Sequence, residues 1–597
     1  VAKRPRARTP ERSTRPREAA APAEPAEPAE QRPRATVIAL VTFTIVFIAI
    51  AVSSYTRKSS VWDEPIHLTD GYVSLVQHDV RVDPEHPPFL RMWAALPLVW
   101  EHVTPFDLTA IDRAAPDRWA WTLFSSCERF MYGQNDADRM LYPARFMIVL
   151  LGVSLGVLLF FWAKEWLGFW PAAVALACYT VEPDIVAHAS LVTTDFGFAC
   201  FMFGALYFLW RTNRQASGWN VAGLVVFCCL AVVSKFSAVV LAAIVVLLLG
   251  FAAVRRKALT PKTAGGILVL LVASAWLAIW AVYGFKYAPS ASPTWLYDFQ
   301  SDPQVHSEVP KLASVVTWID RHHLFPNAFS QGFLFGQAKA QIRPAYLLGQ
   351  ISDRGWWYYF PLAFLVKTPV SLLLLMAGGL ACAVVRWRRT GPDDLVFVLL
   401  PIVVYLAAAM VARLNIGNRH LLPIYPLALL LVALLASEVL AARAQALRYA
   451  LAGLVGIAAL EFGANYPDNL AFFNVLVGGP DHGSEYLVDS NLDWGQDLKP
   501  LKAWMDARAV SHINLAYFGT AYPPYYGMDA TILPGSEFFK QSPDVQLPGY
   551  VAISATILRG VYIGERERAF YRPFLHMTPV ANVGHSIFIY WVDQPWW

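Results

Sequence analysis

A mainly helical polytopic membrane bundle, closed by a small C-terminal α/β domain, is the fold that three observations predict. The chain of 597 residues is 56% hydrophobic with only 15% charged residues, and its mean hydropathy is +0.40. A water-soluble chain of this length needs a more polar surface. Apolar runs of about 20 residues, enough to cross a bilayer as a helix, recur along it. Beyond Tyr466 the pattern changes to short apolar stretches separated by turn residues, as strands require. The net charge of +4 is small, and nucleic acid is not expected among the partners.

Residues 1–34 are rich in Pro, Ala, Glu and Arg with repeated Ala-Glu-Pro, and are expected to form a disordered cytoplasmic arm. Residues 35–465 are expected to form the membrane domain. Its predicted spans, about eleven, are Thr36–Ser54, Ala144–Ala163, Pro171–His188, Leu191–Trp210, Trp219–Ser234, Phe236–Val254, Gly265–Phe285, Phe360–Val385, Leu395–Val411, Leu421–Ala441 and Tyr449–Ala464. The first run has no convincing cleavage site after it and reads as a retained span. The intervening loops on one side carry Lys164, Arg211, Arg214, Arg255, Arg256, Lys257, Lys262, Arg386, Arg388, Arg389, Arg443 and Arg448. The positive-inside rule makes that side cytoplasmic, together with the N-terminus. Loops 55–143 and 286–359 and the tail 466–597 then lie outside. In the tail, Tyr486–Asp489, Ile513–Tyr517, Tyr550–Ser554 and Ser586–Tyr590 read as strands, and Asp497–Arg508 has helical spacing. Five of the six cysteines fall in apolar runs and none lies in the tail, so no disulfide framework or zinc site is expected.

Charged residues beside spans are costly and mark function. Asp63-Glu64 follows the first span, Glu85-His86 precedes Pro87-Pro88, Asp195 opens the fourth apolar run, and Lys235 and Arg419 stand at further boundaries. All map to the outer face. Asp63 is the candidate base, which takes a proton from a hydroxyl; its competing reading is a helix cap. Glu64 orients Asp63 or an acceptor, or merely complements a helix dipole. Asp195 is a second acid across the cavity, and two carboxylates sharing one site would raise one pKa. Lys235 and Arg419 are candidates for holding a phosphate; the bland alternative is a snorkelling side chain. Glu85 and His86 can take a sugar hydroxyl or a metal, with capping the plainer reading for His86. Lys367 lies inside an apolar run and needs a partner. Trp356–Tyr359 are interface aromatics that anchor a bilayer boundary or line a sugar cleft.

These residues carry a family resemblance. Asp63-Glu64 in the first outer loop, His86-Pro87-Pro88 and Leu191–Asp195 resemble the GT-C glycosyltransferases, nearest the protein O-mannosyltransferase-like family 39 and, more distantly, the lipid A aminoarabinose transferases. The resemblance spans Trp62–Leu241, Gly355–Pro369 and Asn415–Pro426. It implies an inverting transferase that moves a sugar from a polyprenyl-phosphate donor to a protein, lipid or envelope-glycan acceptor. It implies a base at Asp63, a supporting carboxylate at Glu64, a second acid at Asp195, and phosphate contacts at Lys235 and Arg419. In the aminoarabinose transferases a glutamate before a proline joins a metal site. Glu85 is a loose match because His86 intervenes; a divalent metal stays open, and no cofactor is favoured. Loop 286–359 lacks the large lectin-like insertion of the eukaryotic mannosyltransferases. The alternative reading is a transporter or flippase of lipid-linked sugars, which would show repeated halves and midplane polar sites. No such repeat is present, and the acidic residues gather at one face.

Overall fold

The structure, a computed structural model, describes residues 32–112, 119–255, 259–536, 539, 541–542 and 545–595. The predicted arm therefore lies outside the described residues but for its end, where Pro33 and Arg34 already belong to the first helix. Each predicted apolar run falls on helix. Among the described residues seven helices are long and apolar enough to cross a membrane: Pro33–Tyr55, Ala137–Leu167, Ala238–Arg255, Pro261–Val282, Val370–Thr390, Ile424–Ala441 and Gln445–Asn465. Phe169–Thr180, Gly218–Val232 and Val396–Val411 are shorter apolar helices beside them. The Thr194–Arg214 helix is as long as several spans but carries Asp195, Arg211 and Arg214.

Helix starts follow local chemistry. Asp136, Glu182, Ser217 and Thr260 each accept a backbone N–H from three residues on, satisfying a donor that the first turn leaves unpaired. Two predicted spans are broken. Residues 171–188 divide into Phe169–Thr180 and Pro183–His188, and residues 360–385 divide into Tyr359–Lys367 and Val370–Thr390. Pro183 and Pro369 lack the N–H that a continuous helix needs. Both breaks lie at the end of the bundle that faces the tail.

At the opposite, basic end, Arg255 pairs with Asp393, Arg386 with Glu438, and Trp210 donates to Asp394. Lipid-facing surfaces stay apolar: Val269, Val272, Val403 and Leu460 are exposed.

The outer loop between Val282 and Tyr359 is mostly helical and ends in a hairpin, β1 (Ala345–Leu347) against β2 (Gln350–Ser352). The tail folds as a five-stranded mixed sheet of β3 (His512–Ala516), β4 (Asp529–Ile532), β5 (Gly549–Ser554), β6 (Ala581–Val583) and β7 (Ile587–Val592). Its order is β4-β3-β5-β7-β6, with β3 parallel to β4 and β5, and β7 antiparallel to β5 and β6. The helix Leu498–Ala507 packs on it through Leu498, Leu501 and Met505. The expected strand at Tyr486–Asp489 is not one. Tyr486 ends a short helical turn, and Asp489 takes the left-handed conformation with φ of 57°. Four residues without a neighbouring edge gain nothing from extending.

The tail is seated on the bundle by backbone pairing. Ser59 N–H donates to Gln496 O at 2.9 Å, and Trp62 N–H donates to Trp494 O at 2.8 Å. Lys58 pairs with Asp468 and, at 2.6 Å, with Asp497, which also accepts from Ser586. The loop that carries Asp63 is thus clamped between the membrane helices and the tail.

Candidate active site

Asp63 precedes the helix Glu64–Tyr72 but makes no capping hydrogen bond. Its carboxylate turns instead to Arg419, whose Nη1 lies 2.8 Å from Asp63 Oδ2. The same nitrogen lies 3.6 Å from Asp195 Oδ2. Lys235 Nζ pairs with Asp195 Oδ1, and His420 Nδ1 is 3.5 Å from that oxygen. Two acids and two cations from four distant segments therefore form one linked cluster at the tail end of the bundle. The side chains of Asp195, Lys235 and Arg419 are buried, whereas that of Asp63 is 23% exposed. Asp63 is the member that water or a substrate can reach.

The sequence predicts a raised pKa from two carboxylates in one site. Asp63 shows the reverse. Burial pushes its pKa up, but the charges of Arg419 and His67 and the Arg419 hydrogen bond outweigh this and hold it below the ordinary carboxylate value. The two acids do not repel each other directly because Arg419 stands between them.

Glu64 does not face this cluster. It is fully buried, with Arg145 donating to Oε1 at 2.8 Å and to Oε2 at 2.5 Å. Val61 N–H and Val192 N–H each donate to it at 2.9 Å. Glu64 thereby ties the Asp63 loop to the segment leading into Asp195. Arg145 also donates to the carbonyls of Tyr55 and Ser59 at 3.0 and 2.8 Å. An arginine inside an apolar run was a visible signal of this role.

Arg419 is positioned with similar care. Its guanidinium carbon lies 4.1 Å from the Trp494 ring centroid, a cation–π contact supplied by the tail. Neighbouring Asn418 donates its N–H to Asn491 Oδ1 at 2.8 Å and its side-chain amide to Asp184 at 2.5 Å. Gly417 passes so close to the tail that a Cβ there would stand 2.1 Å from Ser490 Oγ. Lys367 has the partners its burial demands. It lies 3.7 Å from Asp184 and donates to the carbonyls of Leu470 and Asn491 at 2.8 and 2.6 Å. Trp357 and Tyr358 are exposed, whereas Trp356 N–H donates to Asn415 Oδ1 at 2.6 Å and so fixes the start of this same segment.

Glu85 is exposed to solvent. Although the residue is exposed, protein atoms crowded around the carboxyl desolvate it and, with the neighbouring Asp83 charge, push it up to about 7, against Arg343 and Arg91. His86 Nδ1 is buried without a hydrogen-bond partner, and Arg91 donates to the His86 carbonyl. Burial and the charges of Lys235 and Arg91 keep its ring neutral by lowering its pKa. Arg91 also pairs with Asp70 and Asp83, which fixes the turn ahead of Pro87. Glu85 and His86 are two donors, and a protein-bound zinc takes three or four. Among the described residues no group of three or more His, Cys, Asp or Glu is placed to hold a metal ion.

Residues 138–280 match the family model for dolichyl-phosphate-mannose-protein mannosyltransferases. The matched segment includes Arg145, Asp195 and Lys235. No curated protein matches the chain by sequence. Among solved structures, the chain is similar to ArnT from Cupriavidus metallidurans bound to undecaprenyl phosphate, with 14% identity, TM-score 0.43, and coverage of 92% of this chain and 97% of that one. It is also similar to the Archaeoglobus fulgidus oligosaccharyltransferase, with 13% identity, TM-score 0.42, and 71% and 52% coverage. The S. cerevisiae Pmt1-Pmt2 protein O-mannosyltransferase bound to its sugar donor gives 14% identity, TM-score 0.32, and 42% and 33% coverage.

Proposed function

We propose that this chain is an inverting glycosyltransferase that moves a sugar from a polyprenyl-phosphate donor to an acceptor hydroxyl at the outer face of a bacterial inner membrane. The observation that carries this reading is the contact of Arg419 with both Asp63 and Asp195, with Lys235 on the second acid. It joins a reachable carboxylate to two cations at the end of the bundle away from the basic loops.

The donor phosphate enters beside Lys235 and Arg419. The acceptor oxygen attacks the anomeric carbon from the face opposite the phosphate. A bond forms to that oxygen as the bond to the phosphate oxygen breaks, and the electron pair leaves with the phosphate. Lys235 and Arg419 stabilise that growing charge, and Asp63 accepts the hydroxyl proton. Phosphate binding also changes the base. A phosphate that takes the Arg419 guanidinium weakens its pairing with Asp63, which reduces the largest cause lowering its pKa and makes Asp63 more basic when the donor is in place. Asp195 holds Lys235 and Arg419 in position. Glu64 acts through the loop and is a positioning residue. No step runs through a metal, and we expect transfer to persist in a chelator.

The test uses the full chain in lipid nanodiscs with radiolabelled polyprenyl-phosphate hexoses and pentoses. We expect one donor class to be consumed by wild type and not by Asp63→Asn. Consumption at the wild-type rate in Asp63→Asn would remove this mechanism. Lys235→Ala should weaken donor binding; an unchanged affinity would remove its phosphate role.

A further inference from the structure

On the tail side of Asp63 stands a second polar cluster that the transfer step does not use. Arg343 leaves the outer loop just before β1, and its guanidinium carbon lies 5.9 Å from the ring centroid of Tyr562, in the tail. The Tyr562 hydroxyl donates to Asp489 Oδ2 at 2.5 Å. The Arg343 charge acts on both Glu85 and Asp63. Tyr562 stacks on Phe518 at 5.6 Å, and Phe518 stacks at 4.6 Å on Trp62, the residue before the base.

Three features set this cluster apart from ordinary interdomain packing. Arg343 Nε is buried and has no hydrogen-bond partner. Asp489 and Tyr562 both hold left-handed backbone, φ 57° and 62°, which non-glycine residues adopt at a cost and which gathers at functional sites. Glu85 is left exposed.

We propose that Arg343, Tyr562, Asp489 and Glu85 form the acceptor subsite, and that the acceptor is a neutral carbohydrate. This rests on the transferase reading above. The charge pattern selects the class. A phosphorylated or otherwise anionic acceptor would meet Asp489, Glu85 and Asp63. A cationic one would meet Arg343 and Arg419. Sugar hydroxyls both donate and accept, so carboxylates and a guanidinium set side by side serve them together. The subsite is shared between the outer loop and the tail, which gives the tail the task of presenting the acceptor hydroxyl to Asp63.

The experiment uses the full chain in nanodiscs with the donor identified above. Release of sugar to water is followed beside transfer to neutral di- and trisaccharides, to a Ser/Thr-containing peptide, and to phosphatidylglycerol. Saccharides are expected to be labelled. Arg343→Lys and Tyr562→Phe are each expected to lower the ratio of saccharide transfer to donor hydrolysis by about tenfold or more, the effect of losing a hydrogen bond to a charged group or its orienting partner. Hydrolysis in the same sample reports that each variant is folded. Labelling of the peptide or the phospholipid in place of saccharides overturns the acceptor class. An unchanged ratio in both variants overturns the subsite. Wild-type protein that consumes no donor overturns the transferase reading, and the subsite with it.

Discussion

In the proposed mechanism Arg419 makes opposite demands on binding and chemistry, because the cation assigned to the phosphate is already paired with Asp63. Asp63→Asn separates the two. It removes the proton acceptor, so transfer should fall by about 10³-fold, within the range for a lost general base. It also frees Arg419, so the donor should bind at least as tightly as to wild type. Equilibrium binding of labelled donor to the variant checks this, and weaker binding would contradict the proposed competition. Glu64 and Arg145 are paired where neither has water. Glu64→Ala should destabilise the fold by about 3–5 kcal/mol, the cost of stranding one partner of a buried ion pair, measured by thermal unfolding of the detergent-solubilised protein. The Glu85 carboxyl sits at about 7 because of burial and Asp83. Its raised value means that its contribution to stability is complete below the unfolded value of about 4.3 and is lost as pH rises through about 7. Ionised Glu85 adds negative charge beside Asp63, so transfer should rise through about pH 7, and this step should be missing from the profile of Glu85→Gln. The lowered pKa of Asp63 places its own protonation at more acid pH. Asp63, Asp195, Lys235 and Arg419 were legible in the sequence because each is a charge beside an apolar run. Arg343 and Tyr562 were not, since each looks like an ordinary polar or aromatic residue until the fold brings two remote segments together.

The short segment Asn415–Leu421 determines where Arg419 points. Asn491 and Ser490 of the tail grip it from one side, and Asp184, at the broken helix after Thr180, grips it from the other. Gly417 is the point of closest approach. Gly417→Ala places a methyl carbon against Ser490 and should displace Arg419, lowering transfer by about tenfold or more, since small misplacements in an active site are costly. Adding Ser490→Gly removes the colliding atoms and should restore part of the rate; assay of the double variant decides whether collision is the cause. Apolar periodicity located each membrane helix but not the breaks before Pro183 and Pro369. Those breaks were readable as proline signals, yet the window that finds spans averages over them. The expected Tyr486–Asp489 strand failed for a different reason: no neighbouring edge pairs with the segment, and Asp489 turns to meet Tyr562 instead.

Over the whole molecule the reading requires the site and the tail on one side of the membrane and the basic loops on the other. Trp357 is 66% exposed near the site, and Trp219 is 87% exposed at the basic end. A cysteine replacing Trp357 should react with a membrane-impermeant thiol reagent in intact cells, and one replacing Trp219 only after permeabilisation. The six native cysteines are buried or half-buried and unpaired, so their background should be low. Labelling of both positions from the same side would undo the arrangement.

The hydroxyl of Ser59, four residues before the base, donates to the Gly495 carbonyl, 436 positions further along the chain. A ribosome that has delivered every membrane helix has still not supplied that partner, nor the Trp494 ring under Arg419. The nascent protein is therefore threaded into the bilayer with the seat of Arg419 unfinished, and on the proposed reading that seat is completed only once the tail has been translated.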